Sequence, residues 1–225
     1  MMFSASYAKS YSKYDGNSYY FATRQIEFVV GGIIVMLVAS ITNYHFFYNN
    51  KVLFISFLGG IGLLIAVLLV GDIRNGAQRW LDLGFIDFQP SDVMKFVIII
   101  VFAALVSRNT ERMKDWKFIL FLTIILGIVL VLMYKQPHLS GMIIMAIIAA
   151  TIVFVGGLKE SHTAVAIVLG IIAIIGIIKF SDGYFDDRFI GFNDPFADTG
   201  DKTFQTYQSL LTIGSGGFFG VGLGN

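Results

Sequence analysis

The chain has 225 residues, of which 56% are hydrophobic and 14% are charged, with a net charge of +1 and a mean hydropathy of +0.75. This composition excludes an ordinary water-soluble domain and indicates an integral membrane protein. The near-neutral charge, without a basic patch or stripe, gives no reason to expect a nucleic-acid partner, and the absence of cysteine excludes disulfides and thiol catalysis.

The predicted elements begin with a polar, tyrosine-rich segment, 1–25, which we predict to be an outer loop. Six apolar runs follow, and we predict that each crosses the hydrocarbon core as a helix. They are 26–43, 52–71, 93–106, 118–134, 139–156 and 164–178. The third run is short, but Pro90 and Asp92 predict its start, because proline suits the first turn and a carboxylate suits the positive end of a helix. The predicted fold class is therefore all-α, a polytopic membrane bundle of about six helices over 26–179.

The distribution of charge predicts which ends of these helices lie outside. Four basic residues crowd the short connection after the third run: Arg108, Arg112, Lys114 and Lys117. Because cytoplasmic loops are enriched in lysine and arginine, we place this side in the cytoplasm. The segments 72–92 and 180–225 then face outward. The second is a large outer loop, and its glycine-rich end, 214–224, predicts a re-entrant or broken helix that lines a cavity.

Polar residues next to the predicted helices are candidates for a site. Lys95 lies about one turn inside a helix, so we expect it to pair with Asp92 or to extend to the membrane interface. Trp80, beside Arg79, is typical of an interfacial belt as well as of a ligand site. For the polar turn 136–138 a plain loop is favoured, and a cavity-lining turn is the alternative. The spacing of acidic and histidine residues matches no calcium or zinc pattern, so no metal site is predicted.

Five motifs follow one another along the chain. They are N-G-A-Q-R-W-L-D-L-G, F-Q-P-S-D-V-M-K, Y-K-Q-P-H-L-S-G, R-F-I-G-F-N-D-P-F-A-D-T-G and F-Q-T-Y-Q-S-L-L-T-I-G-S-G-G-F-F-G-V-G-L-G-N. In this order they resemble the SEDS family of bacterial cell-wall polymerases, the FtsW, RodA and SpoVE type, from about Ser4 to Asn225. The resemblance implies a multi-pass protein of the bacterial cytoplasmic membrane. It also implies a peptidoglycan glycosyltransferase that polymerises lipid II into glycan strands during elongation, division or sporulation.

The resemblance assigns substrate-binding roles to polar and aromatic residues of these motifs. The candidates are Arg79, Trp80, Gln89, Asp92, Lys95, Arg188, Gln205 and Gln208. Arg79 and Arg188 are expected to bind the diphosphate of lipid II, because a guanidinium donates two parallel hydrogen bonds to phosphate oxygens. Trp80 offers an apolar face to a sugar or to the isoprenoid. Asp92 and Lys95 would form a polar floor, and the two glutamines would hydrogen-bond sugar or peptide.

The resemblance also implies that the chain is a partial member of the family, without the first helix and the C-terminal helices. The aspartate of a T-D-F motif, the family's proposed catalytic residue, is expected beyond Asn225. No catalytic residue is therefore assigned, and the chain alone is expected to be inactive. Two departures from the family pattern limit the transfer of residue roles to this chain. Asp92 stands where the family usually has glutamate, and His138-Leu139-Ser140 stands where the family often has Asp-Leu-Gly.

The expected partners are lipid II, a class B penicillin-binding protein and other divisome or elongasome membrane proteins. The motifs demand no cofactor, but a divalent cation, Mg²⁺ or Mn²⁺, could bridge the diphosphate to the acidic outer loop. Two other functions remain open at this stage. One is a lipid II flippase, and the other is a non-catalytic scaffold of the cell-wall synthesis complex.

Overall fold

The computed structural model describes residues 2–14, 16–74, 77–82, 84, 87–159, 194, 196 and 203–222. This part holds seven α-helices: α1 Met2–Lys13, α2 Tyr20–Ile41, α3 Asn50–Val70, α4 Pro90–Arg108, α5 Trp116–Lys135, α6 Leu139–Val155 and α7 Phe204–Gly216. Two short 3-10 helices, Tyr44–Tyr48 and Thr110–Lys114, and three strands, β1 Asp72–Arg74, β2 Ala77–Asp82 and β3 Asp87–Phe88, complete it. The chain divides into two units, Met1–Thr42 with Ile171–Asn225, and Asn43–Gly170. Each unit is described by itself.

Five of the predicted membrane helices correspond to helices of the structure, α2 to α6. Within the described residues, α2, α3, α4 and α5 are long and apolar enough to cross a membrane, whereas α6 is apolar but has only 17 residues. The protein is therefore an integral membrane protein with a predominantly helical fold, as predicted. The sixth predicted helix, 164–178, and the predicted outer loop 180–193 lie outside the described residues.

In the second unit, α4 is the central helix. It packs against α3 and α6, and more lightly against α5. Half of its most apolar stretch is buried inside the protein, compared with 22% for α3 and 17% for α5. The buried residues include Met94, Ile98 and Phe102. Because α3 and α5 expose most of their apolar surface, they present large faces to lipid, whereas α4 is covered mainly by α3 and α6.

Two glycines allow the helices to approach α4 closely. A Cβ atom at position 60 in α3 would lie 2.5 Å from Sδ of Met94, and a Cβ atom at Gly156 would collide with Cγ1 of Val106. Inside a membrane the hydrophobic effect does not drive helices together, so small residues that permit close backbone packing have a larger role than in water. Gly60 and Gly156 therefore fix how α3 and α6 lie against α4.

A small antiparallel sheet between α3 and α4 was not predicted from the sequence. Its strand order is β1-β2-β3, with Arg74 opposite Ala77 and Leu81 opposite Phe88. The pairing leaves a two-residue connection, Asn75-Gly76, the dipeptide most typical of tight hairpin turns. Strand β2 packs on α3 and α4. The all-α fold class thus holds for the membrane helices, and the segment between two of them is a folded sheet.

The first unit contains α1, α2 and α7. Residues 1–25, predicted as an outer loop, contain α1 and the first turns of α2, and these two helices pack on each other. Aromatic stacking joins them: the ring centroids of Tyr14 and Tyr20 are 3.7 Å apart, and those of Phe3 and Tyr19 are 5.0 Å apart. Helix α7 ends at Gly216. It therefore includes the first three residues of the predicted glycine-rich re-entrant segment, 214–224. That this segment lines a cavity stays a prediction.

The close contact at Gly60 generates a stability prediction. Gly60→Ala should lower the midpoint of thermal unfolding in detergent, because the added methyl group meets Met94 and overpacking typically costs about 1 to 3 kcal/mol. The control is Gly59→Ala, since a Cβ atom at that neighbouring position meets nothing within 4 Å. In a Met94→Ala background, Gly60→Ala should cost less than it does in the wild type, because the side chain that it meets has been removed. Equal effects of the two glycine substitutions would contradict this packing.

Candidate functional site

The site is built around the N-terminus of α4. Pro90 occupies the first turn, as predicted, and Asp92 places its carboxylate near the positive end of the helix dipole. Gln89 is the N-cap, but its side chain accepts no capping hydrogen bond from a backbone N–H and instead donates from Nε2 to Oγ of Ser91 in the first turn, at 3.0 Å. Ser91 is almost fully buried. Gln89, a predicted substrate-binding residue, therefore lies at the sheet-to-helix junction.

The predicted pairing of Lys95 with Asp92 is confirmed. The Lys95 ammonium donates to Oδ1 of Asp92 at 2.7 Å across one helical turn. The lysine side chain is 26% exposed and the aspartate side chain 55% exposed. A lysine one turn inside a membrane helix is costly without a partner. The ion pair therefore stabilises an ammonium at this depth.

Strand β2 brings Arg79 and Trp80 beside these helices. Both side chains are partly buried. Asp72 pairs with Trp80 and Ile73 with Gln78, so Arg79 lies at an irregularity of the pairing, where the usual alternation of side chains between the two faces is interrupted. The strand is tied to α3 by Gln78, whose Nε2 donates to the carbonyl oxygen of Gly71 at 2.7 Å. This hydrogen bond holds the sheet at the C-terminal end of α3, the helix that precedes it in the chain.

The segment 136–138 forms a turn between α5 and α6 in which Gln136 and His138 are buried; that this turn lines a cavity stays a prediction. Gln136 is 1% exposed, and its Nε2 donates to the carbonyl oxygen of Leu64 in α3 at 3.1 Å. His138 is 7% exposed and is the N-cap residue of α6. Its ring lies against Gly141, where a Cβ atom would come within 2.6 Å of Cε1 and 2.8 Å of Nδ1.

Charges from two other elements surround His138. Its burial lowers the pKa of His138 below the ordinary value, the charges of Arg79 and Lys95 lower it further, and the charge of Asp92 opposes them. Arg79 belongs to β2, while Asp92 and Lys95 belong to α4. These four residues therefore form one group, which we call the polar cluster. Its charged members are Arg79, Lys95 and Asp92.

The other predicted site residues lie elsewhere in the chain. Gln205 and Gln208 are exposed on α7, in the first unit, and the structure does not relate them to the polar cluster. Arg188 and most of the acidic outer loop lie outside the described residues. Within the described residues no group of three or more histidine or acidic side chains could hold a metal ion.

One residue of the polar cluster was missing from the predicted binding residues. His138 was noticed only as part of a polar turn, and its burial depends on contacts with residues distant in sequence. The one local signal is a histidine four residues after Tyr134, at the boundary of two apolar runs. Such a position is equally typical of an exposed loop, so the sequence alone does not distinguish a buried histidine from an exposed one.

Comparison with known proteins places the chain in a family. The sequence model of the FtsW, RodA and SpoVE family, described as cell cycle proteins, matches residues 1–225. The chain belongs to this family. It is 32% identical to the probable peptidoglycan glycosyltransferase FtsW of Saccharophagus degradans, over 93% of this chain and 54% of that protein. The corresponding protein of Nitrosomonas europaea is 35% identical over 100% of this chain and 58% of its own length.

A sporulation protein and two solved structures extend the comparison. Stage V sporulation protein E of Bacillus subtilis is 30% identical over 100% of this chain and 61% of its own length. A chain of a peptidoglycan synthase complex that coordinates polymerization and crosslinking matches with a TM-score of 0.65 and 26% identity, over 87% of this chain and 57% of that chain. Rod shape determining protein RodA of Thermus thermophilus has a TM-score of 0.56 at 24% identity, over 76% of this chain and 56% of its own, and shows the common fold.

This FtsW/RodA/SpoVE family member spans 54% to 61% of the length of these three curated relatives. The family assignment agrees with the resemblance drawn from the five motifs. The relatives bear the names of a glycosyltransferase and of a sporulation protein. The match also covers the segments that carry the polar cluster, so the cluster belongs to the region that the family shares.

The buried state of His138 predicts a pH-dependent stability. The folded chain holds the pKa of His138 below the ordinary value of about 6.5. As the pH falls, the unfolded chain therefore binds a proton at His138 before the folded chain does. This contribution is therefore fully present above about pH 6.5 and is lost as the pH falls from there towards the folded pKa. His138→Gln should remove this part of the pH dependence of the thermal unfolding midpoint.

The matched control for this prediction is His45→Gln. His45 is exposed, and its Nδ1 contacts the side chain of Asn43 at 2.9 Å. The control variant should show the same pH profile as the wild type. Parallel profiles for the wild type and His138→Gln would mean that the imidazole at position 138 is not held neutral by the fold.

Proposed function

We propose that the protein acts as a peptidoglycan glycosyltransferase that polymerises lipid II into glycan strands, in the bacterial cytoplasmic membrane. The observation that carries the proposal is the polar cluster at the N-terminal end of α4, in a family whose relatives are named for this activity. Its two cations and its partly buried position suit an anionic lipid headgroup. Apolar helices beside it suit the attached lipid chain.

The arrangement of charges along α4 supports an outward-facing site. The polar cluster lies at the start of this 19-residue helix, and the basic residues from Arg108 to Lys117 follow its other end. A helix of this length spans about 28 Å, close to the thickness of the hydrocarbon core. The cluster and the basic connection therefore lie at opposite membrane surfaces. Because basic connections stay in the cytoplasm, the cluster and 72–92 face outward, and we propose the same side for 180–225.

The chemistry of glycan polymerisation defines what the cluster contributes. A hydroxyl of the acceptor sugar attacks the anomeric carbon of the donor, the new C–O bond forms, and the bond from that carbon to the diphosphate oxygen breaks. The leaving diphosphate keeps the bonding electron pair, and a base accepts the hydroxyl proton. Arg79 and Lys95 would bind the diphosphate and stabilise the charge that develops on it. Asp92 would hold the Lys95 ammonium in position.

The remaining predicted residues take different roles. Trp80, next to Arg79 on β2, would contact the sugar or the isoprenoid with the apolar face of its ring. Gln89 would hydrogen-bond substrate at the junction of sheet and helix. Arg188, Gln205 and Gln208 stay predictions for the outer loop. The general base is proposed, from the resemblance, to be the T-D-F aspartate expected beyond Asn225.

Two associations belong to the same proposal. The synthase complex that matches this fold couples polymerization with crosslinking. We therefore propose a class B penicillin-binding protein as partner, since that class supplies the crosslinking activity, with other divisome or elongasome membrane proteins nearby. A divalent cation, Mg²⁺ or Mn²⁺, that bridges the diphosphate to the acidic outer loop stays a prediction, because most of that loop lies outside the described residues.

The test is lipid II polymerisation by the complete protein, purified with its penicillin-binding partner. Arg79→Ala and Lys95→Ala should each weaken lipid II binding by about tenfold to hundredfold, because each removes a charge-assisted hydrogen bond of about 1.5 to 3 kcal/mol. The T-D-F aspartate changed to alanine should bind lipid II and make no glycan.

Arg112→Ala provides the matched control, since this exposed arginine lies in the basic connection at the opposite end of α4. It should polymerise at the wild-type rate. Wild-type binding and polymerisation by Arg79→Ala and Lys95→Ala would refute the assignment of the cluster. Transport of lipid II across vesicles without any glycan product from the wild type would favour the flippase. Absence of both activities would favour the scaffold.

A further inference from the structure

Two connections of the second unit meet at the end of α4 that lies opposite the polar cluster. Arg108, the last residue of α4, has its guanidinium 3.9 Å from the ring centroid of Tyr48 and donates to Oδ1 of Asn50, the first residue of α3. The 3-10 helix Thr110–Lys114 follows, and its Met113 is fully buried. The connection before α3 and the connection after α4 are therefore anchored to each other and to the bundle.

Positive charge is concentrated on this surface. Four of its cations, which we call the basic platform, are Lys51, Arg108, Lys114 and Lys117. The three lysines are exposed, and none of them forms an ion pair in the part of the chain that the structure describes. Over 43–51 and 108–117 there are five lysines and arginines but only two carboxylates. One of these, Asp115, accepts the backbone N–H of Lys117 at 3.1 Å as the N-cap of α5.

Aromatic side chains indicate the depth of the basic platform in the membrane. Tyr44 and Tyr48 precede Lys51, and Trp116 precedes Lys117; all three rings are exposed. Tyrosine and tryptophan are enriched at the level of the lipid headgroups. The apolar faces that α3 and α5 present to lipid begin directly after these residues. The cations therefore lie at the depth of the lipid phosphates and not far out in the aqueous phase.

Charge and depth together select the chemistry of the partner. Clusters of lysine and arginine beside the cytoplasmic end of a membrane helix attract anionic lipid headgroups. The guanidinium of Arg108 has several N–H donors, and the structure directs one of them to Asn50. The positive dipole ends of α3 and α5 also point to this surface, because both helices begin there. A phosphate at headgroup depth matches all three features.

We propose that the basic platform is a binding surface for anionic phospholipids of the cytoplasmic leaflet. Their phosphate groups accept hydrogen bonds from Arg108 and from the three lysines, and Tyr48 positions the guanidinium by stacking on it. This surface lies at the opposite end of α4 from the polar cluster, so it is separate from the proposed substrate site. The inference rests on the orientation proposed above and not on the enzymatic activity.

Trp116 supplies a local reporter for the experiment. The complete protein is placed in nanodiscs that contain phosphatidylcholine and phosphatidylglycerol, one of them brominated near the headgroup so that it quenches tryptophan fluorescence on contact. The Trp116 signal is the difference between the wild type and Trp116→Phe. Wild-type protein should prefer phosphatidylglycerol by about fivefold or more at low salt, since each cation near the surface contributes about fivefold. The preference should disappear at 1 M salt, where the Debye length is about 3 Å.

The two ends of α5 provide a matched pair of variants. Lys117 lies in the first turn of this helix and Lys135 in its last turn, and both are exposed. Lys117→Gln should lower the preference by about twofold to fivefold, and Lys114→Gln combined with it should abolish the preference. Lys135→Gln should behave like the wild type. The double replacement of Lys114 and Lys117 by arginine keeps the charge and should keep the preference.

Tyr48 separates a built platform from a diffuse charge. Tyr48→Leu changes no charge but removes the ring on which Arg108 stacks, so it should lower the preference by about twofold. The control is Tyr44→Leu, an exposed ring of the same 3-10 helix that stacks on His45 instead. Equal preferences in these two variants would overturn the positioning role of Tyr48.

Three results would overturn the binding surface itself. One is equal quenching by the two lipids in the wild type. Another is an undiminished preference after both lysines are changed to glutamine, or at 1 M salt. The third is a wild type without lipid preference whose Trp116 fluorescence responds to a glutamate-rich peptide, which would assign the platform to an acidic protein segment. A clear preference for phosphatidylglycerol in a protein that does not polymerise lipid II would support the platform and refute only the proposed function.

Discussion

The burial of α4 among its neighbours is the constraint on which the second unit depends. Water is absent from the hydrocarbon core, so the close packing of helices, and not the exclusion of water, holds them together there. Gly60 and Gly156 remove the side-chain atoms that would separate α3 and α6 from α4. Since half of the apolar stretch of α4 is buried against its neighbours, Ser91 in the first turn can lie inside the protein. The sheet between α3 and α4 then lies on the same two helices.

Polar groups gather at one end of this bundle, where each finds a partner within its own helix or on a neighbouring element. Gln136 spans from the α5 to α6 turn to a carbonyl oxygen of α3. Lys95 pairs within α4, where an isolated ammonium would be costly. The result is a rigid frame for Arg79 and His138, because the sheet and the turn that carry them are anchored to α3. Preorganised groups of this kind stabilise developing charge without a further cost of rearrangement.

The features that the sequence predicted well are those that depend on local composition. Long apolar runs predicted α2 to α6, and the spacing of three residues predicted the pairing of Lys95 with Asp92. The sheet was missed because membrane helices dominated the interpretation of this region, although Asn75-Gly76 signals a hairpin. Helix α1 was missed because its polar residues obscured an aromatic face at positions 3, 7, 11 and 14. The burial of His138 was not predictable, since it depends on Gly141 and on elements distant in sequence.

A neutral donor beside two cations has a physical advantage over a third cation. In a partly buried group the repulsion among three positive charges, each counted against a single carboxylate, would destabilise the unliganded protein. A neutral imidazole at position 138 avoids that repulsion, in agreement with the lowered pKa of His138, which has burial as its largest cause and the charges of Arg79 and Lys95 as further causes.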